Sequence, residues 1–266
     1  MGAEQYHRVD MGKYFNIKQK AYLINVSDNR DQEQFESLSG AIVGRNGDVI
    51  ALQISYPTDY GSPASQSQKH TFKLNTEAMG NGIQVIADLI RVEAGNIFHL
   101  KLRSNLEMYQ RRQVPRIDTT IKMYQIQRNT SLDSYRKEYL RITGLMKSQG
   151  VPANLTMQDS TINLGIGGIR VECETRLNPS PLSLFFLGLD DNNIPVCALG
   201  DLVWERLEKD MRMCGYRFIL VNKADQERIG SYIQSLHQQQ KIAAPKPKAN
   251  WELLDRMVYE GTLKQH

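Results

Sequence analysis

Along most of the chain apolar and polar residues alternate with a period of two, the pattern of strands that bury one face. The clearest case is "SGAIVGRNGDVIALQISY", where Asn46-Gly47 separates two apolar, β-branched runs. Asn-Gly tolerates the positive φ of a tight turn, so this stretch is predicted to be a hairpin. A polar loop, "SPASQSQ", precedes a strand in "KHTFKLN", and "GIQVIADLIRVEAGNIFHLKLRS" supplies two more around Ala94-Gly95-Asn96. Short strands at such close spacing predict a small barrel or sandwich. A second β-rich unit starts after Gln113, with strands expected in "RIDTTIKMYQIQ", "NLTMQDSTIN", "GIRVECET", "LSLFFLGL", "IPVCALGDLVWERL" and "GYRFILVN". Asp190-Asp191-Asn192-Asn193 marks a turn between two of these.

Helical spacing interrupts the pattern twice. Leu132, Tyr135, Tyr139, Ile142 and Met146 recur at intervals of three and four between Ser131 and Gly150, and Gly150 with Pro152 ends that segment. Ile229, Tyr232, Ile233 and Leu236 repeat the spacing after the last strand, with Asn222 as the candidate N-cap. "AAPKPKAN" then reads as a Pro-containing linker, and "WELLDRMVYEGTL" as a short final amphipathic helix.

A chain of 266 residues with 41% hydrophobic and 23% charged residues suits two globular domains. The net charge of +4 is too mild for a coat on nucleic acid and favours a local basic site instead. Cys173, Cys197 and Cys214 are widely spaced with no CxxC pair, so reduced thiols are expected rather than a disulfide framework or a zinc site. "MGAEQYHRVDMGKYFN" lacks the apolar core of a signal peptide, Tyr6 breaks the myristoylation pattern, and "PLSLFFLGL" is too short to span a bilayer. A cytoplasmic protein with no membrane insertion is therefore expected.

The local basic site is plain in "MYQRRQVPRIDTTIKMYQ", which places Arg111, Arg112 and Arg116 directly before a strand. A second landmark, "STINLGIGGIRVE", punctuates a strand pair with Gly165, Gly167 and Gly168. Glycines there let a ligand approach the backbone closely. Each feature alone is ordinary, since charged strand edges and glycine turns are common. In this order they are specific. RxxxR at Arg112 and Arg116, a strand, and then a [D/N]xSxxG-like stretch from Asn163 to Gly168 resemble the signature of PilZ domains. "QRRQVPRI", "GDLVWERL" and "GYRFILVNKADQERIGSYIQSL" extend the likeness over Leu106–Gln240. The whole resembles a PilZ protein of the flagellar-brake (YcgR-like) type.

That resemblance implies a mainly β protein with two small barrels in tandem. Residues 1–105 would form an N-terminal, split-barrel-like domain, and 106–240 a six-stranded antiparallel PilZ barrel carrying the helical insertion. Residues 241–266 would be the linker and C-terminal helix. The implied ligand is cyclic di-GMP, held by Arg111, Arg112, Arg116, Asn163, Gly165 and Gly168. The residue types suit it independently. Guanidinium groups bind phosphate oxygens bidentately, pair with guanine O6 and N7, and stack on bases. Asn163 offers a donor and an acceptor to a guanine edge. By the family's habit Arg111 favours two intercalated ligands per site. Gly165 stands where the family has serine, which removes one hydrogen bond, about 0.5–1.5 kcal/mol.

No catalytic or metal constellation is legible, because the histidines His7, His70, His99, His237 and His266 are scattered and "GIGG" is not followed by a P-loop lysine. Nor does any recognisable contact for a flavin occur in residues 1–105. The expectation is a receptor without enzymatic activity, resident cofactor or metal, whose domains rearrange on binding to control motility, attachment or exopolysaccharide. A flagellar motor or stator protein is the implied partner, with recruitment to the basal body; monomer and homodimer both fit. The alternative is a degenerate module that has lost the nucleotide and works only through protein contacts.

Overall fold

The structure is a computed structural model that describes residues 14–27, 33–78, 81–94, 96–103, 106–109, 114–152, 155–173, 179–189, 194–208 and 211–241. Six strands make the first ring: β1 (Lys20–Asn25), β2 (Gln34–Asn46), β3 (Val49–Ile54), β4 (Thr71–Ala78), β5 (Asn81–Glu93) and β6 (Ile97–Leu102). They pair antiparallel in the circular order β1-β4-β5-β6-β3-β2, and β2 returns to β1, so the barrel is closed. Leu23, Leu38, Ile50, Leu52, Phe72, Leu74, Val85, Phe98 and Leu100 fill it, each fully or almost fully buried. The alternation along β3 and β6 puts every second side chain into that interior.

The predicted hairpin forms, but its turn sits one residue later than the sequence suggests. Asn46 pairs with Val49, so Gly47 and Asp48 are the turn residues, with φ +56° at Gly47 alone. At the next hairpin Asn96 itself adopts φ +59°, a value asparagine tolerates; Gly95 lies outside the described residues. The polar "SPASQSQ" loop contains a single turn of helix, α1 (Pro63–Gln66), capped by Ser62. After β6, a short strand β7 (Glu107–Tyr109) adds to β5, and Tyr109 packs its ring flat against Gly82.

The second ring is built from β8 (Ile117–Gln127), β9 (Gln158–Gly165), β10 (Gly168–Cys173), β11 (Leu182–Leu187), β12 (Val196–Glu208) and β13 (Met211–Asn222). The order β13-β10-β9-β8-β11-β12 closes through β12–β13, a second six-stranded antiparallel barrel. Ile117, Ile121, Leu164, Ile169, Phe185, Leu187, Ala198, Tyr216 and Phe218 form its core. A helix, α3 (Lys223–Gln240), joins that core through Ile229 and Ile233, and the predicted Asn222 cap accepts from the amide of Ala224. The protein is thus mainly β, two closed barrels in tandem, with helices added to the second.

One cysteine expectation fails. Cys173 and Cys214 sit on the neighbouring strands β10 and β13, with Cα atoms 6.2 Å apart, and are joined as a disulfide rather than held as thiols. Strand pairing supplies the closeness that their separation in sequence hides. Cys197 is the buried free thiol, pushed up by burial. The expected turn at Asp190–Asn193 and the tail 241–266 with Trp251 lie outside the described residues, apart from Lys241.

The helical insertion is a wedge between the barrels. It forms α2 (Leu132–Gln149), starting from a Ser131 cap, and its five apolar residues are all buried. They share one cluster with the core of the first barrel and with Leu182, Leu184 and Phe186 of β11. That arrangement explains why every residue of "LSLFFL" is buried: the alternate residues Phe185 and Leu187 face the second barrel instead. From α2, Arg136 reaches back to the first barrel, pairing with Glu36 and, at 2.9 Å, with Asp59. Burial opposes its charge, and the Glu36 and Asp59 carboxylates outweigh it, so its affinity for the proton rises.

A further set of contacts between the barrels is polar. β2 begins by pairing with the end of β13: Gln34 with Asn222, Phe35 with Val221, Glu36 with Leu220. The Lys20 ammonium donates to the Val203 carbonyl, and the Ser39 hydroxyl to the Asp201 carboxyl. Asp201 is 1% exposed. Burial lifts its pKa to about 7, against the smaller opposite pulls of the Ser39 hydrogen bond, Lys20 and Arg217.

Two outcomes follow for stability. Arg136→Ala lowers the unfolding free energy by about 1–3 kcal/mol, the usual scale for a charged hydrogen-bond donor withdrawn from a half-buried site, measured by urea titration. Asp201 keeps its proton up to about pH 7 when folded, against an ordinary value of 3.8. The folded chain therefore binds more protons in between, and stability falls as pH rises from about 4 to 7, then levels off. The slope approaches about 1.4 kcal/mol per pH unit, and Asp201→Asn flattens it in the same titration repeated across pH.

Candidate functional site

The glycine-rich turn and the arginine strand meet on the outer face of the second barrel. In β8 and β9, Ile117 pairs with Leu164 and Asp118 with Asn163; in β9 and β10, Gly165 pairs with Gly168 and Asn163 with Arg170. Ile117, Leu164 and Ile169 point into the core, so the residues between them point outward. Two parallel rows result. One runs Asp118, Asn163, Arg170; the other runs Arg116, Gly165, Gly168, Arg217, the last paired with Gly168 on β13.

In the second row glycine is a spatial requirement. A Cβ on Gly165 would lie 2.9 Å from Cγ of Arg116, so the arginine stem rests on the bare backbone there. A Cβ on Gly168 would meet the Tyr216 carbonyl oxygen at 2.4 Å, which no side chain survives. Neither glycine has a φ in the left-handed region, so closeness, rather than turn geometry, demands them. At Gly165, where the resemblance leads one to expect serine, the Arg116 stem lies over the position a side chain would take.

The first row is a small polar network. Asp118 Oδ1 accepts from Asn163 Nδ2 at 2.9 Å and from Arg170 at 2.8 Å. One N–H of the Asn163 amide goes to Asp118; an amide carries a second N–H and a carbonyl oxygen besides. Beyond Arg170 the row continues to Gly215, across which the indole of Trp204 lies flat, its Nε1 2.3 Å from where a Cβ would stand. Trp204 is 38% exposed, so an aromatic face borders the arginine row.

Helix α3 holds the turn from beneath. Ile166, at the tip between the two glycines, packs against Gly230, and the Tyr232 hydroxyl lies 3.2 Å from the Thr119 hydroxyl. The ends of β8 and β9 are therefore tied to one rigid helix.

Of the six residues expected from sequence, Arg116, Asn163, Gly165 and Gly168 are brought together on this face. Arg111 and Arg112 lie outside the described residues, in the stretch that joins β7 on the first barrel to β8 on the second. Sequence reasoning missed Asp118, Arg170 and Arg217. Each reads as an ordinary charged residue on the outward face of its strand, and the strand register is what aligns Asp118 and Arg217 with the glycine turn. Among the described residues, no group of three or more His, Cys, Asp or Glu could hold a metal, and no helix is long and apolar enough to cross a membrane.

No protein-family model matches the chain, and no curated protein matches it either. Solved structures similar to it include the Bacillus subtilis inhibitor of motility MotI/DgrA, at 12% identity over 86% of this chain and 99% of that one, with a TM-score of 0.34. Escherichia coli YcgR in complex with c-di-GMP is similar at 13% identity over 89% of this chain and 88% of that one, TM-score 0.31. The K. pneumonia MrkH–c-di-GMP complex is similar at 15% over 84% and 90%, TM-score 0.30. At such scores these likenesses carry no argument about the site, which stands on its own geometry.

Proposed function

We propose that the protein is a cyclic di-GMP receptor of the PilZ kind, without catalysis of its own. The observation that carries this reading is the convergence of the Arg116 stem, the bare Gly165–Gly168 backbone and the Asp118–Asn163–Arg170 network on one outer face. A ligand with two phosphodiesters and two guanines fits that mixture. Arg116, Arg170 and Arg217 supply guanidinium groups for phosphate and for guanine edges. Asn163 Oδ1 accepts from a guanine amine, and the glycines give a floor without side chains. Arg111 and Arg112, next along the chain from β7, would close over the ligand from the opposite side, with Arg111 favouring two stacked nucleotides. The joining stretch is short and anchored at both ends, at Tyr109 on Gly82 and at the start of β8. Drawing it onto the floor would pull on the first barrel, which is how binding would change the arrangement of the two domains, 1–105 and 106–240. Output to motility, attachment or exopolysaccharide, through a motor or stator protein at the cytoplasmic side, belongs to the same reading.

Calorimetry with cyclic di-GMP tests it. The wild-type chain releases or absorbs heat of binding, while Arg112→Ala and Arg116→Ala weaken binding by at least about tenfold, the cost of one charged hydrogen-bond donor. Absence of heat with the wild-type chain would leave the degenerate interaction module as the better reading. Gly165→Ser weakens binding by about 2- to 10-fold in the same assay, despite adding a hydroxyl, because Arg116 must leave its relaxed rotamer. A gain of affinity in that variant would show that the arginine has room to move.

A further inference from the structure

Arg217 belongs to both the ligand floor and the contact between barrels. On β13 it pairs with Gly168 of β10 on one side and with Asp201 of β12 on the other. Its guanidinium carbon stands 3.7 Å from the ring centroid of Tyr22 in the first barrel. Tyr22 in turn pairs with Ser39 across β1 and β2, and Ser39 donates to Asp201. Two neighbours of one barrel, Tyr22 and Ser39, thus face two neighbours of the other, Arg217 and Asp201.

From the other direction, the bare Gly168 backbone lies against the Arg217 backbone: a Cβ there would come within 3.2 Å of Arg217 Cα. An anion resting on Gly165 and Gly168 is therefore one strand away from Arg217, a spacing of about 4.8 Å, which an arginine side chain bridges. Forking onto a phosphate beside Gly168 would draw the guanidinium towards that strand and loosen its contact with the Tyr22 face. We infer that Arg217 is the residue through which an anionic ligand on this floor is felt by the first barrel: phosphate and the Tyr22 ring compete for one guanidinium. This rests on the cyclic di-GMP reading above and adds to it the contact that is exchanged. Coupling of this kind is reciprocal, so a change that weakens the Tyr22 contact strengthens ligand binding, by no more than the coupling itself.

The test combines calorimetry with cyclic di-GMP and a distance measured between spin labels, one on each barrel, using the full chain. Wild-type protein binds and its interbarrel distance shifts. Arg217→Met weakens binding by at least about tenfold. Tyr22→Leu releases the guanidinium and tightens binding about 3- to 10-fold, while the ligand-driven distance change is largely lost. Tyr22→Phe keeps the ring and binds as wild type, which shows that the effect of Tyr22→Leu does not come from loss of the hydroxyl. If the wild-type chain binds and both Arg217→Met and Tyr22→Leu leave affinity unchanged, the inference is wrong and the receptor reading survives. Loss of binding in Arg217→Met with no change in Tyr22→Leu makes Arg217 a ligand contact only, and removes the coupling. No binding by the wild-type chain overturns the receptor reading and this inference with it.

Discussion

A three-residue ladder, Gln34–Glu36 against Leu220–Asn222, sets the positions of the parts around it. A closed barrel has no free edge to offer, so two barrels can share backbone hydrogen bonds only where strands run on past their own rings. Here β2 and β13, 13 and 12 residues long, do so. The ladder ends at Asn222, which caps α3, and the next amide, Lys223, donates to the Glu33 carbonyl. From that fixed start α3 carries Gly230 beneath Ile166 and so sets the height of the Gly165–Gly168 floor. At its other end the ladder holds Glu36, which receives Arg136 and anchors α2. The floor and the wedge both depend on where two strands cross from barrel to barrel.

Local patterns were legible where a residue's neighbours in sequence are also its neighbours in space. The strands of the second barrel, the hairpin of the first, and both long helices with their Ser131 and Asn222 caps follow from periodicity and capping chemistry alone. Asn163, Gly165 and Gly168 lie within one hairpin, so their spacing was informative, and Arg116 needed only the pairing of β8 with β9. Strand β1, "KAYLIN", escaped notice because its apolar residues, Ala21 to Ile24, form an uninterrupted run with no alternation. The burial of Leu132, Tyr135, Tyr139, Ile142 and Met146 could be read, but the surface that covers them could not. That surface comes from Leu182, Leu184, Phe186 and the first barrel, far off in sequence.

The polar contacts between barrels left no sequence signal at all. Ser39 and Asp201 are 162 positions apart, and neither sits in a pattern that a buried polar pair would impose. Arg217 alternates normally along β13 and reads as a solvated strand residue until Tyr22 is placed over it. Cys173 and Cys214 show the same limit, since register alone makes them neighbours.

The two sides of the interbarrel contact differ in kind, and the difference gives a direction to any movement between them. On the α2 side the surface is apolar, continuous with the first core, and separation would expose it at about 25 cal/mol for each Å². On the other side lie Lys20, Tyr22 and Ser39 against Val203, Asp201 and Arg217, groups that water can rehydrate when parted. Separation on that side exchanges hydrogen bonds instead of losing them, and costs less for the same displacement. The Gly165–Gly168 floor borders the polar side through Arg217. An anion there would thus act on the contacts whose separation costs least.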